Sequence, residues 1–188
     1  MLYFLVPEKL KMLKKNVLLI LGAGGHGKSV AEAALLSGKW KKIMFADDSW
    51  PQRTDIAGFP IVTNINNIPD IISDISAAIP AVGNNPLRQK WFQLLESLSI
   101  PIATVVHPSA IISPNVEIGN GVAIMAGCIV GLDVKVEDGA IINMASSIDH
   151  DTHIGEFAHL SVGVKVVGDK KIDSLSFLPA GSVITHLM

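Results

Sequence analysis

Residues 122–160 read VAIMAGCIVGLDVKVEDGAIINMASSIDHDTHIGEFAHL, and an aliphatic side chain recurs at every sixth position: Ile124, Val130, Val136, Ile142, Ile148, Ile154 and Leu160. The same phase runs back through Ile118 and Ile112 to Val106, and forward through Val166, Ile172 and Leu178 to Ile184. Two places before each aliphatic residue the chain is nearly always small or β-branched, as at Val122, Cys128, Val134, Ala140, Ser146, Thr152, Ala158 and Val164. Residues two apart on a strand share a face, so each hexad directs one aliphatic and one small side chain inward and completes its length with a turn. Three hexads close a triangular coil, and coils stacked at about 4.8 Å share one continuous core. The expectation is a parallel β-helix of hexapeptide repeats. A sandwich of hairpins would not hold one phase for so long, and Asn120-Gly121 is its single strong turn pair. Gly119, Gly131 and Gly155 follow aliphatic positions and are expected to serve corners of unusual backbone conformation. Lys170 interrupts the small-residue column, so the coil there is expected to bulge or to turn its lysine outward.

Upstream of this solenoid the pattern changes to alternating strand and helix. Val17–Leu21 is a short, wholly apolar run leading into Gly22-Ala23-Gly24-Gly25-His26-Gly27-Lys28, and 29–36 reads as a helix. A buried strand, a glycine turn and a helix N-terminus together form an anion site, because free N–H groups and the helix dipole point at the turn. Strands at 43–46, 77–82 and 102–106 and helices at 68–73 and 87–98 extend the alternation into a small Rossmann-like α/β parallel sheet. Asp47 and Asp48 end the second strand, where such folds place a carboxylate on a ribose hydroxyl. Read alone, Gly22 and Gly24 fit close strand–helix packing equally well. The expected division is an N-terminal extension at 1–15, a Rossmann-like domain at 16–105 and the β-helix at 106–188.

Composition narrows the function classes. With 188 residues and 49% hydrophobic content the chain is globular, and 15 Lys+Arg against 17 Asp+Glu leave no electrostatic footprint for nucleic acid or an anionic membrane. Cys128 stands alone, so no intrachain disulfide forms and a cytoplasmic setting fits. No segment approaches the roughly 20 apolar residues of a membrane span, and Met1 to Val6 lack the basic n-region of a signal peptide, reading instead as a tail or short helix.

The combination resembles a known family: the two-domain sugar acetyltransferases typified by the UDP-4-amino-sugar N-acetyltransferases of bacillosamine synthesis and the sialic acid O-acetyltransferases. The resemblance rests on the glycine turn of residues 22–28, the Asp47-Asp48 pair, Asn143, Ile148-Asp149-His150-Asp151 and the run from Ile154 to Ser161. It implies a left-handed β-helix and acetyl transfer from acetyl-CoA to an amine or hydroxyl of a sugar. It also implies a nucleotide sugar held by Gly22, Gly24, Gly25, His26, Gly27, Lys28, Asp47 and Asp48, and homotrimers with active sites between chains. Independently, the flat sides of a triangular prism suit such an assembly.

An amine or hydroxyl attacking a thioester must lose a proton, and imidazole is suited to take it near neutrality. His150, two places after Ile148 at a coil corner, projects outward in this reading, and Asp151 beside it is placed to orient the ring. Spacing alone fits a turn histidine equally; the resemblance selects the catalytic role, where the family's neighbouring residue is acidic and often Glu. His159, which precedes the inward Leu160, is expected to point from a flat side toward a neighbouring chain and resembles a histidine placed near the acetyl group. Gly168 lies one coil from His150, and its family counterpart offers a backbone N–H to the thioester oxygen. His150, His153 and His159 occupy different corners and faces, so no metal is expected.

Family members continue past the hexad of Ile184 with a further coil, whereas this sequence ends at Met188, so weakened acetyl-CoA binding is an expectation. Three alternatives remain at this level. They are an O-acetyltransferase of a sialic-like acid, a catalytically silent nucleotide-sugar-binding protein, and an NAD-dependent enzyme resting on the glycine turn alone.

Overall fold

The computed structural model describes residues 16–186; the extension expected at 1–15 lies outside them. Strand β1 (Val17–Leu21) has a strand on each side in its sheet, and VLLIL is buried on both faces, as parallel strands between two layers must be. Leu18 and Ile20 face one core and Leu19 and Leu21 the other. The remaining strands are β2 (Lys42–Ala46), β3 (Asp55–Ile56), β4 (Phe59–Thr63) and β5 (Ala77–Pro80), in the order β3-β4-β2-β1-β5. All pair in parallel except β3 with β4, an antiparallel hairpin. That hairpin escapes the sequence reading because two residues are too few to show a period; its marker is Ala57-Gly58, both with positive φ.

Helix α1 (Gly25–Leu36) begins inside the glycine turn, four residues earlier than expected. Its buried Ala31, Ala33 and Ala34 keep it slim between the sheet and the β-helix, where Val105, Ala123, Met125 and Ile141 join the same core. The opposite face of the sheet carries helix α2 (Asn85–Ser97) and a 3-10 helix (Ile65–Asp74), longer than the helix expected at 68–73. Asn64 and Asn84 cap these, accepting from the Asn67 and Leu87 N–H at 2.9 Å.

The strand expected at 102–106 is divided between the two units. Ile102 makes an isolated parallel bridge to Ala78, while Val105–Val106 pairs with Ala123–Ile124 as the first rung of the solenoid. Val106 is already in hexad phase, so its inward face belongs to that core.

The C-terminal half is the expected left-handed β-helix: two-residue parallel strands in three columns, each residue stacked on the one eighteen positions away. The first column contains Val105–Val106, Ala123–Ile124, Ile141–Ile142, His159–Leu160 and Phe177–Leu178. The second contains Ile111–Ile112, Ile129–Val130, Ser147–Ile148, Lys165–Val166 and Val183–Ile184. The third contains Glu117–Ile118, Lys135–Val136, His153–Ile154 and Lys171–Ile172. The inward polar positions are satisfied by neighbouring turns: the Ser146 hydroxyl donates to the Ser161 carbonyl at 3.0 Å and Thr152 to the Val167 carbonyl at 3.3 Å. Lys170 causes no bulge, since the His153 N–H still donates to its carbonyl and Ile154 still pairs with Ile172; the side chain is half-exposed.

Gly119, Gly131 and Gly155 do not have positive φ, contrary to expectation; among non-glycine corner residues Asp133, Asp151 and Asp169 do. The three glycines answer to close approach instead. A Cβ on Gly155 would lie 2.5 Å from the Ser174 nitrogen, and one on Gly131 3.0 Å from the His150 nitrogen.

Candidate active site

The glycine turn is built by close packing on one side and left open on the other. Gly22 adopts φ 101° beneath the Trp91 ring, and a side chain on Gly27 would collide with the Gly22 carbonyl, so both glycines are demanded by backbone geometry. Gly24 and Gly25 face open space, and α1 starts there without a side-chain cap. Its first N–H groups and dipole are therefore presented to that space. Asp47 is drawn into the turn itself: its Oδ2 accepts from the Ala23 N–H at 2.7 Å and its Oδ1 from the Ser49 N–H at 2.9 Å. Asp48 is exposed, with Oδ1 accepting from Ile65 N–H at 3.3 Å, and borders a groove of about 470 Å³ with Asn66, Leu87, Lys90 and Trp91. Lys28 points elsewhere, into a second groove beside Glu32 and Phe59.

His26, on the first turn of α1, meets His159 of the β-helix with ring centroids 6.3 Å apart. This corrects the expectation that His159 faces another chain. It belongs to the column covered by α1, is 7% exposed, and its Nδ1 lies 3.2 Å from the Gly83 carbonyl of its own chain. The Nε2 atoms of both rings are buried and without hydrogen-bond partners among the described residues. Burial, then the His159 ring and the Arg88 guanidinium, push His26 down to about 3; burial foremost, with Arg88 adding to it, also holds His159 below the ordinary imidazole value. Both rings are neutral at physiological pH.

Arg88 is the residue sequence reading missed. It has no exposed surface, and its guanidinium donates to the Val82 carbonyl (2.9 Å) and Asn85 Oδ1 (2.9 Å) on one side. On the β-helix side it donates to the Gly139 (2.7 Å) and Phe157 (2.6 Å) carbonyls. Asn85 in turn donates to the Leu175 and Ser176 carbonyls. Burial lowers Arg88 to about 10, still fully protonated at neutral pH.

His150 sits at a corner between the second and third columns and is exposed. Adjacent side chains ordinarily diverge, but Asp151 adopts φ 58° and its Oδ2 returns to 2.7 Å from His150 Nδ1. This bond foremost, then the Asp149 charge, raises His150 above the ordinary imidazole value. The ring lies over Gly168, where a Cβ would come 2.6 Å from Cε1. The Asp169 N–H donates to the His150 carbonyl, while the Gly168 N–H has no acceptor among the described residues. His153 is tied to Glu137 at 2.9 Å, and no cluster of three potential metal ligands occurs among the described residues.

The structure thus gathers two groups, the glycine turn with His26 and His159 on the covered column, and His150, Asp151 and Gly168 at the opposite corner. A parallel-sheet domain with an open glycine turn, docked on a hexapeptide β-helix that carries an imidazole–carboxylate pair, defines the hexapeptide-repeat acyltransferase class.

Comparison with known proteins narrows the class. The family model for the PglD N-terminal domain matches residues 17–95. The acetyltransferase domain of PglB from Neisseria gonorrhoeae FA1090 superposes with a TM-score of 0.85 at 32% identity, covering 89% of this chain and 82% of that one. PerB from Caulobacter crescentus, solved with CoA and GDP-perosamine, superposes with a TM-score of 0.75 at 28% identity, covering 89% and 88%. The UDP-N-acetylbacillosamine N-acetyltransferase of Bacillus subtilis (strain 168) is 36% identical over 124 residues, which is 60% of this chain and 52% of that protein. The chain belongs to the hexapeptide-repeat family of sugar N-acetyltransferases. It spans about half the length of the curated relatives it matches.

Proposed function

We propose that the protein transfers the acetyl group of acetyl-CoA to an amino group of a nucleotide-linked sugar, with His150 as general base. The observation that carries this reading is the Asp151–His150 pair lying over Gly168. With Nδ1–H donated to Asp151, the neutral ring keeps its Nε2 lone pair for a substrate proton. The amine nitrogen attacks the thioester carbon as Nε2 takes its proton, the unengaged Gly168 N–H receives the developing oxyanion, and the departing thiolate recovers the proton. A groove of about 270 Å³ lined by Ile129, Gly131, Ser147, Asp149, Lys165 and Val167 adjoins this corner and suits an extended thioester arm.

In this reading residues 16–105 bind the nucleotide sugar, its phosphates at the open Gly24-Gly25 turn and its nucleoside toward Asp48, and residues 106–188 bind acetyl-CoA. Because the two groups occupy different sides of one prism, catalysis uses a homotrimer in which His150 of one copy faces the glycine turn of the next. The exposed Ile111, Ile129 and Val183 of the second column supply an apolar face for that contact. The relatives bind matching ligands: PglB's domain was solved with acetyl coenzyme A and PerB with CoA and GDP-perosamine.

The test is thermal stabilisation by acetyl-CoA and by UDP-, GDP-, dTDP- and CMP-linked amino sugars, followed by acetyl transfer assayed with the stabilising sugar. Stabilisation by both ligand classes and turnover reduced about a hundredfold or more in His150→Ala is expected. A response to nucleotide sugar alone would identify a silent binding protein, and no response to either would overturn the reading.

A further inference from the structure

Arg88 is a buried cation with no carboxylate partner among the described residues. Its hydrogen bonds reach only carbonyl and amide oxygens, from Val82 and Asn85 on one side and from Gly139, Phe157 and, at 3.5 Å, Ala158 on the other. In place of an acid, the charge is compensated by oxygens drawn from two units of the fold. Here the fork joins the Val82-Gly83 turn, which leads into α2, to the coil immediately before His159. The Gly83 carbonyl then lies 3.2 Å from His159 Nδ1. A carbonyl oxygen can only accept, so the proton is on Nδ1 and Nε2 carries a lone pair.

We infer that Arg88 is a positioning residue for the His26–His159 contact between the glycine turn and the β-helix: by bolting the Gly83 turn to the coil at Phe157-Ala158, it fixes His159 in the tautomer whose Nε2 is a hydrogen-bond acceptor. The inference rests on the reading that the adjoining glycine turn receives the nucleotide sugar. The acceptor has no donor among the described residues, so the complementary ligand group is a hydroxyl or N–H, in place of an acyl carbonyl or a phosphate oxygen. The charged and titratable groups acting on His159 agree with this: burial and Arg88 oppose protonation, and the neighbouring ring, His26, is itself held neutral. A protonated His159 would instead donate from Nε2 and invert the preference.

The experiment is nitrogen-15 NMR of the histidine rings in the full chain, without ligand, from pH 5 to 8. The wild type is expected to show His159 as the Nδ1–H tautomer, with neither His159 nor His26 titrating near 6.5. In Arg88→Lys, which keeps the charge but loses the planar fork, His159 should lose that single tautomer while the protein remains folded by circular dichroism. In the same variant kcat/KM for the nucleotide sugar should fall about a hundredfold, with KM for acetyl-CoA unchanged. If Arg88→Lys does not fold, Asn85→Ala, which removes one acceptor of the fork, is read in the same way. A wild-type His159 protonated on Nε2, or a folded variant that keeps the wild-type tautomer, would overturn the inference. The predicted tautomer in a protein that responds to no nucleotide sugar would support the assignment of Arg88 and sink the functional reading alone.

Discussion

His150 and His159 lie nine residues apart on one solenoid and are put to opposite uses. His150 stands at an uncovered corner, where a left-handed residue brings a carboxylate to its ring and raises its proton affinity. His159 lies on the one column that the α/β unit covers, where burial and a nearby guanidinium lower it. The β-helix is a neutral scaffold in this respect: what its outward side chains do depends on which face is covered. The contrast separates a group suited to moving a proton from one suited to holding a hydrogen bond.

The sharpest way to break the contrast is His150→Ala. Acetyl transfer should fall about 10²- to 10⁴-fold, the usual contribution of a general base, while the melting temperature stays within error because the side chain is exposed. A parallel loss of stability would mean that His150 belongs to the scaffold. Gly168→Ala comes next. The added methyl would occupy the space of the His150 ring and displace it, so kcat should drop about tenfold or more, with nucleotide-sugar binding unaffected in calorimetry. Unchanged kcat would show that the ring position above Gly168 is immaterial.

Acid stability sharpens the comparison in free-energy terms. His26 and His159 have folded pKa values below their unfolded ones, so the stability they contribute is present above about 6.5 and is lost as pH falls, for His26 down to about 3. Stability from urea denaturation should therefore decline between pH 7 and 5, by about 2 kcal/mol for His26, and His26→Gln should flatten that decline. Persistence of the full slope in the variant would place the acid-sensitive group elsewhere. The smallest effect expected is that of Asp151→Asn. A general base works unprotonated, so the rate rises with pH through the raised midpoint of His150. Removing the carboxylate moves that midpoint down, toward the ordinary value, and a pH–rate profile that does not shift would deny Asp151 its role.

Much of this architecture is legible in the chain because it repeats. Ile124 through Leu160 keep one phase, and each inward residue meets its equivalent one coil away, so the local pattern already contains the tertiary contact. Val17–Leu21 and the glycine turn are legible for a similar reason, since a strand buried on both faces must be apolar throughout and Gly27 must yield space to Gly22. Arg88 carries no such mark. In the sequence it is a cation in an ordinary amphipathic helix, and its acceptors at Gly139 and Phe157 lie 51 and 69 residues away. The groove beside Asp48 was equally hidden, because Asn66, Lys90 and Trp91 come from separate elements that meet only once the sheet is wound.

The sequence by itself determined the solenoid, the strand–turn–helix opening and the His150-Asp151 pair, since each is written in residues near one another or in a strict period. Only the tertiary structure decided which face of the prism the α/β unit covers. It thereby decided that His159 is buried against Gly83, that Asp47 braces the glycine turn and that Arg88 joins the two units. The physical reason is that docking depends on the combined shape of two surfaces, here the alanine face of α1 and the flat column from Val105 to His159, and no local pattern in either encodes the other.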